Sequence, residues 1–437
     1  MARNGQNHAA ATVAMQFAPA SAYNAACLDP AGDPTPVIDT LLNLDFGRGG
    51  NAENHLGPGW SAGEQGFRWM IGETSELWLE HPGPCDCLLE VLLNPLIKPP
   101  DVPVQRMVLA VRGTVVAQAT LRYGGTFGFH LPAAAMAGPG PVRLVFGHPD
   151  CRRPSELSNA KDDRLLAIAI LGARLLRLPV EAVASPLAPA PAHWGAWAGG
   201  LPEHEPPPPE PPLDDEALRA MVLRFESLGD NCEFGLVQRR CGAEPLGLLR
   251  FSNIELSHLL RGIRCGFAGL GEPSTMRLRD DAAKTEYVVD ETVYRITYHT
   301  FLYKKDVAED GLLARQSNRL KFLVRKMMED IRNAEKIFVL KRNRPLQLEE
   351  VLPLYATLNE AAANTLLWVV PADEGHPPGS VERVLPGLLR GYVDRFAPPE
   401  NAPDLSLEVW LEICRNTCRL VDAGRAGVGA AASVPVQ

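Results

Sequence analysis

A proline-rich segment divides this 437-residue chain into two parts of different character. The segment covers residues 181–215 and includes four consecutive prolines, Pro206 to Pro209. Consecutive prolines favour an extended polyproline helix, a semi-rigid spacer without a packed core. A chain of this length also exceeds what one hydrophobic core usually organises. The sequence therefore predicts two separately folding domains, 37–180 and 216–422, with a disordered lead-in at 1–36 and a disordered tail at 423–437.

Composition and charge limit the functional classes. The chain is 46% hydrophobic and 22% charged, as in globular proteins, and no apolar run approaches the roughly 20 residues that span a bilayer. Its net charge of −9 provides no general attraction to nucleic acid, so no nucleic-acid partner is predicted. The first residues lack the continuous apolar stretch of a secretory signal, which predicts a cytoplasmic location. Nothing in the sequence indicates an oligomeric state.

The nine cysteines are predicted to be reduced thiols. They are odd in number and scattered, and they include no CxxC pair. The two close pairs, Cys85/Cys87 and Cys414/Cys418, have no histidine at zinc-finger spacing. We therefore predict no metal site, and no motif indicates a cofactor.

The first part has the pattern of an all-β domain. Short apolar runs such as CLLEVLLNPLI and RMVLAVRGTVVAQATL alternate with Gly/Pro turns. Within the second run, Arg112-Gly113-Thr114 predicts a hairpin turn. Strands this short and regularly spaced predict a jelly-roll-like β-sandwich.

Two stretches of this part resemble a known module. GPGWSAGEQGFRWMIGETSELWL (Gly57 to Leu79) and DDRLLAIAILGARLLRL (Asp162 to Leu178) are similar to a β-sandwich module appended to bacterial cell-surface polysaccharide enzymes. The resemblance covers Val37 to Leu178. It implies a carbohydrate-binding or domain-docking role, with a carbohydrate or glycoconjugate as partner.

The tryptophans of the first stretch have two interpretations. Trp60, Trp69 and Trp78 offer aromatic faces that suit the apolar face of a pyranose, so Trp60 and Trp69 are candidate substrate-binding residues. Tryptophans at such positions also commonly fill the core of a sandwich.

The second part predicts an α/β domain with a mostly parallel sheet. The stretch KIFVLKR, a helical segment and TLLWVVP form a βαβ unit, whose strands are parallel with a right-handed crossover. Sites in such sheets gather at the carboxyl ends of the strands. Three predicted strand ends carry polar residues: 229–232, 341–343 and 372–374.

Cys232, in the stretch FESLGDNCEFG, follows a predicted strand and begins a predicted helix. A helix N-terminus lowers the pKa of a thiol and supplies free N–H groups for an oxyanion. The neighbouring Asp230 and Glu233 would raise that pKa. A cysteine here is therefore either a nucleophile or a small buried hydrophobe.

This stretch carries a second resemblance. FESLGDNCEFGLVQRR, YHTF and RLKFLVRKMMEDIRNAEKIFVLKR, within Val222 to Arg342, resemble a bacterial family of unknown function described as papain-like cysteine peptidases. Its hallmark is Ser-Leu-Gly-x-Asn-Cys. The resemblance implies Cys232 as nucleophile and His299 as base, and we include Asn231 of the motif among the candidate catalytic residues. The chain departs from the family at Thr300, where an acidic residue usually follows the histidine.

His299 lies on the polar face of a predicted strand, with Arg295 and Thr297. It is either a general base or a solvated surface residue. A third residue would be needed to orient the imidazole. Asn343 and Asp373, each at a predicted strand end, are the best-positioned candidates.

The predicted helix over residues 312–334 is rich in basic residues. Arg315 and Arg319 stand four residues apart and share a helix edge. This edge is either a solvated face or a cradle for an anionic substrate, since arginine suits phosphate and carboxylate groups. Asp230 and Arg342, at predicted strand ends, are further candidate substrate-binding residues. Too few aromatic residues are interleaved for single-stranded nucleic acid.

These features predict a cysteine-dependent hydrolase or acyl transferase of bacterial surface-polysaccharide metabolism. One alternative is a sugar-transferring enzyme whose basic helix binds a nucleotide sugar. Another is a non-catalytic carbohydrate-binding scaffold.

Overall fold

The computed structural model describes residues 38–179, 213–398 except 282 and 284, and 401–431, with side chains up to residue 424. The predicted lead-in at 1–36 and nearly all of the predicted linker at 181–215 lie outside the described residues. The domain boundaries placed there stay predictions.

The first part is a sandwich of two antiparallel sheets. One sheet has the order β1-β9-β4-β7 with β2 also paired to β9, and the other has the order β3-β8-β5-β6. Between the β5 and β6 strands, Arg112 and Gly113 both have positive φ, as the predicted hairpin turn requires. The β-rich character predicted for this part is confirmed. Its elements are β1 (Asp39–Asp45), β2 (Arg68–Ile71), β3 (Thr74–Leu79), β4 (Cys87–Pro95), β5 (Gln105–Val111), β6 (Thr114–Leu121), β7 (Gly125–Leu131), α1 (Ala133–Met136), β8 (Val142–Gly147), α2 (Pro154–Leu157) and β9 (Leu166–Arg177).

The second part contains two sheets rather than one. One sheet has the order β10-β15-β16-β18-β17. Its first four strands pair in parallel, and β17 is an antiparallel edge strand beside β18. The other sheet, β11-β14-β13-β12, is antiparallel. Short connections join β12, β13 and β14, whereas β11 pairs with β14 from a more distant position in the chain. The elements are α3 (Asp215–Val222), β10 (Phe225–Ser227), α4 (Glu233–Arg240), β11 (Ser252–Asn253), α5 (Leu256–Arg264), β12 (Met276–Asp280), β13 (Glu286–Glu291), β14 (Ile296–Tyr303), α6 (Leu312–Asn333), β15 (Ile337–Lys341), α7 (Leu348–Ala361), β16 (Thr365–Pro371), β17 (Val381–Leu385), β18 (Leu388–Val393) and α8 (Leu407–Ala431).

Strand β4 is buried on both faces, which explains its almost unbroken apolar sequence. Leu89 and Val91 belong to the core between the two sandwich sheets. Leu88 points the other way, into a core that also contains Leu352 and Tyr355 of α7. The sandwich therefore presents one sheet face to its own core and the opposite face to the second part of the chain.

Helix α7 packs closely on that outer face. A side chain at Gly128 of β7 would place its Cβ only 2.7 Å from the Cβ of Leu352, so glycine permits the approach. Gln347, the N-cap of α7, donates to the carbonyl of Thr120 and accepts from its N–H, each at 2.8 Å.

A buried ion group joins the same surfaces. Glu90 of β4 pairs with Arg174 of β9 at 2.5 Å and with Arg264 of α5. Burial alone would raise the pKa of Glu90, but the two guanidinium groups hold it below its ordinary value. All described residues fall within one compact unit, Thr35–Gln437. Residues of both parts share one core, and the separate folding of the two parts stays a prediction.

Helix α8 runs past residue 422, where the sequence predicted a disordered tail. The stretch after Asp422 has four alanines, the strongest helix formers, and three glycines, which disfavour helix, and the helix continues through it to Ala431. Across the described part of the chain, no helix has the length and apolar character needed to cross a membrane.

Candidate functional site

Two of the three predicted strand ends meet in the structure. Strands β10 and β15 are parallel neighbours, so the residues that follow them emerge at the same edge of the sheet. Asp230 Oδ2 accepts from Asn343 N at 3.0 Å and lies 3.5 Å from Lys341 Nζ. Asp230 has a φ of 105°, which L-residues rarely adopt, and these contacts hold it there.

The acidic neighbours of Cys232 are neutralised. Glu233 is fully buried, pairs with Lys341 Nζ at 2.9 Å and accepts from Trp410 Nε1 at 2.9 Å. Asp230 pairs with Lys341 and with Arg342, whose Nη1 lies 3.4 Å from Asp230 Oδ1 and donates to the carbonyl of Ile254 at 2.7 Å. Arg342 is buried and these contacts give it a structural role, while the contact of Asp230 and Arg342 with substrate stays a prediction.

Cys232 is half-buried and forms the N-cap of α4, as the sequence predicted. The sequence left the direction of its pKa shift open, and in the structure the pKa of Cys232 rises to about 11. Burial is the largest cause and the negative charge of Glu286 adds to it, while Arg239 and Lys341 oppose the shift. A pKa of about 11 favours the protonated thiol at neutral pH, so the helix terminus by itself does not activate Cys232.

Asn231 presents a free donor beside this thiol. Its Oδ1 accepts from the N–H of Glu233 at 2.9 Å, and this bond fixes the orientation of the amide. The Nδ2 group is consequently turned away, and it is buried without a hydrogen-bond partner among the described residues. A buried donor left in this state favours any acceptor that enters.

His299 is held by a carboxylate that sequence analysis did not identify. Its Nδ1 lies 3.1 Å from Oε2 of the buried Glu286, whose Oε1 accepts from Phe301 N at 2.7 Å. Val288 stands opposite His299 in the β13/β14 pairing, so Glu286, two residues along, shares its face of the sheet. The hairpin register would have indicated this pair.

Glu286 connects the two predicted catalytic residues. It contacts His299 directly, and it is the main charge that raises the pKa of Cys232. Arg239 of α4 lies over the rings of Phe251 and Phe301, at 4.8 and 4.7 Å from their centroids. Thus α4, which begins at Cys232, packs on the sheet that carries His299.

Neither of the predicted orienting residues contacts His299. Asn343 Oδ1 accepts from Lys341 Nζ at 2.5 Å. Asp373 lies in a loop, where its Oδ1 is 2.8 Å from His376 Nδ1. The structure gives the position beside the imidazole to Glu286 instead.

A small cavity adjoins His299, and we call it the His299 pocket. Its volume is about 20 Å³. It is lined by Gly247, Leu248, Phe251, Ser252, Tyr298, His299, Arg319, Leu320 and Leu323. Arg315 and Arg319 of the basic helix α6 are both exposed, but of the two only Arg319 lines the pocket.

The other basic residues of α6 do not form a continuous cradle. Lys321 pairs with Glu272 at 2.9 Å, and Lys326 pairs with Asp330 at 2.5 Å. These contacts favour the solvated-face interpretation for much of the helix.

The sandwich tryptophans differ in their surroundings. Trp60 packs 5.2 Å from Phe46 and donates to the carbonyl of Glu76 at 2.7 Å. It is thus partly buried and packs against the sandwich core, while its contact with a sugar stays a prediction. Trp69 is half-buried with its ring edge-on to Phe67, and Trp78 is 39% exposed.

Among the residues that the structure describes, no three His, Cys, Asp or Glu side chains lie together in a group that could hold a metal ion.

No family model and no curated protein matches this chain, so the resemblance to papain-like cysteine peptidases stays an expectation.

The chain does have similarity to solved structures of carbohydrate-binding modules and carbohydrate esterases. The C-terminal CBM6 of LamC, a marine laminarinase from Zobellia galactanivorans, is 14% identical over 31% of this chain and 98% of its own, with a TM-score of 0.20. A CBM36 module in complex with calcium and xylotriose is 9% identical over 31% of this chain and 98% of its own, with a TM-score of 0.18. A family two carbohydrate esterase from Cellvibrio japonicus is 11% identical over 78% of this chain and 90% of its own, with a TM-score of 0.16. TM-scores this far below 0.5 do not establish a common fold over the whole chain.

Proposed function

We propose that the second part of the chain is a hydrolase or acyl transferase that acts on esters of a carbohydrate or glycoconjugate, with Cys232 as its nucleophile. The observation that carries the proposal is the placement of Glu286. It binds His299 Nδ1 at 3.1 Å and acts electrostatically on Cys232. A carboxylate on Nδ1 leaves the Nε2 atom of the imidazole as the proton acceptor, which is the arrangement of a nucleophile, base and orienting acid.

The raised pKa of Cys232 determines how the thiol reacts. With a pKa of about 11 it carries its proton at neutral pH, so the proton leaves as the bond to carbon forms. His299 Nε2 accepts that proton while Sγ attacks the ester carbonyl, and Glu286 stabilises the resulting imidazolium. The C–O bond of the ester then breaks, and the imidazolium returns the proton to the departing alcohol oxygen.

The second half of the reaction releases the acyl group. In a hydrolase, water attacks the thioester carbonyl and gives its proton to His299. The S–C bond breaks, the acid leaves and the thiol regains its proton. In an acyl transferase, the hydroxyl of an acceptor takes the place of water.

The negative oxygen formed in each half-reaction needs donors. Asn231 Nδ2 is buried and without a partner among the residues described, beside the nucleophile. The N–H groups of Phe234 and Gly235, in the first turn of α4, have no acceptor within the helix. These three donors form our proposed oxyanion hole.

The carbohydrate part of the proposal is supported by the sandwich. The indole of Trp78 is 39% exposed on strand β3 and can offer its face to a pyranose ring. Because α7 covers the outer face of the β4-containing sheet, the other sheet is the accessible one.

The test is turnover of p-nitrophenyl acetate by the full chain, with mass spectrometry of the Cys232 peptide. We expect release of nitrophenolate and a transient acetyl group on Cys232. Cys232→Ala should abolish both, and His299→Ala should lower turnover by about a hundredfold or more. Cys265→Ala, which alters another half-buried cysteine, is the matched control and should leave both unchanged. Full turnover by Cys232→Ala would refute the proposal.

A further inference from the structure

The His299 pocket has apolar walls. Leu248, Leu320 and Leu323 are at most 4% exposed, and the ring of Phe251 completes the wall. Tyr298 also lines the pocket, but its hydroxyl already donates to Gln316 Oε1 at 3.1 Å. Most of the surface offered to a bound group is therefore hydrocarbon, and His299 stands at its border.

The pocket is small. A cavity needs about 10–15 Å³ to hold one water molecule, and this one has about 20 Å³. That space fits a group of one or two heavy atoms, such as the methyl end of an acetyl group. It does not fit an alkyl chain of four or more carbons.

The walls have little freedom to move outward. A Cβ at Gly247 would lie 2.6 Å from Oε1 of the buried Glu226, so the backbone already packs against that carboxyl group. Leu320 and Leu323 are fixed on α6 and belong to the main core of this part of the chain. Packed interiors of this kind resist expansion by whole methylene groups.

From this position, size and lining we infer that the His299 pocket receives the acyl group of the substrate and restricts it to about the size of acetyl. The inference rests on the proposed function and adds the substrate class: short-chain, acetyl-type esters of a sugar. The guanidinium of Arg319 at the pocket reinforces the restriction, since a longer alkyl chain leaving the pocket would cover a charged group.

The experiment compares p-nitrophenyl acetate, butyrate and octanoate with the full chain. We expect kcat/KM to fall at least about tenfold from acetate to butyrate, since each excluded methylene in a fitted pocket costs a factor of this order. Leu320→Ala should raise the butyrate-to-acetate ratio several-fold. Leu323→Val is a milder second variant in case Leu320→Ala does not fold. Leu313→Ala, on the same helix but outside the pocket lining, is the control and should keep the wild-type ratio.

The outcomes separate the two proposals. If butyrate and octanoate are turned over as well as acetate, or if neither pocket variant changes the ratio, the acyl-pocket inference fails while the proposed function stands. If no ester is turned over and Cys232 is never acetylated, the proposed function fails and the inference fails with it.

Discussion

Replacing Glu286 by glutamine should change the reactivity of Cys232 and the turnover of substrate in opposite directions. In the native protein, burial and then Glu286 raise the pKa of Cys232 from 9.0 to about 11. Each pKa unit is a factor of ten in thiolate, so at pH 8 the thiolate fraction is about a hundredfold lower than for an unperturbed cysteine. Glu286→Gln removes the negative charge but leaves the burial. The pKa should fall while staying above its ordinary value, and alkylation at pH 8 should become faster.

Glu286→Gln should lower the turnover of substrate. His299 Nδ1 lies 3.1 Å from Glu286 Oε2, and an amide neither holds the required tautomer nor stabilises the imidazolium. The loss of turnover should be about a hundredfold. A variant that merely loosened the fold would lower the temperature of thermal unfolding. Glu286→Gln should keep that temperature while its thiol becomes more reactive.

The assay is the rate of iodoacetamide modification of the Cys232 peptide between pH 7 and 11, read by mass spectrometry. Glu272→Gln, which removes a carboxylate that pairs with Lys321 on the surface, is the matched control. A wild-type alkylation midpoint well below pH 9 would refute the account of the thiol. Unchanged alkylation and turnover in Glu286→Gln would remove Glu286 from the site.

Two further predictions concern stability. Burial raises the pKa of Glu226 to about 7, with Lys326 opposing the shift, so between its ordinary value of 4.5 and 7 the folded state holds a proton that the unfolded state releases. This contribution is fully present below pH 4.5 and is lost as the pH rises through 7, by about 3 kcal/mol in total. Urea unfolding at pH 5 and pH 8 should show the loss, and Glu226→Gln should abolish it; an equal pH dependence in the variant would contradict the assignment. Gly128→Val should destabilise the chain by about 1–3 kcal/mol, because its Cβ would meet Leu352 at 2.7 Å. Gly125→Val is the control on the same strand, where the nearest atom would be 4.0 Å away, and an equal cost at both positions would show that α7 is not held there as described.

Several features of the fold could be predicted from local sequence. The β15–α7–β16 unit follows from two short apolar runs around a helical segment, and the structure pairs the two strands in parallel. Arg112-Gly113 forms the predicted hairpin turn, since glycine readily adopts a positive φ. Cys232 begins a helix because the turn at Gly229-Asp230 ends the preceding strand. Each of these depends on residues only a few positions apart.

The sequence did not predict that α7 packs on the sandwich. The sequence of β4 is apolar except at Glu90 and Asn94, which is typical of a strand buried on both faces, but it does not show what covers the second face. The proline-rich segment favoured two independently folding parts, because its sequence lacks the apolar residues of a packed core. The sequence does not show which surfaces of the two parts contact each other. Leu88 and Leu352 share a core because the tertiary structure brings them together.

The candidate site also combines features that the sequence predicted with features that depend on the tertiary structure. The sequence by itself identified Cys232 and His299 as candidates and placed one at a helix start and the other on a strand. It did not identify Glu286, because that depends on the register of a hairpin whose turn lies between Glu291 and Ile296. It also left the sign of the pKa shift of Cys232 open. Helix termini and turns act over a few residues, whereas burial and the sum of nearby charges depend on which distant segments pack around a group, and only the tertiary structure decides that.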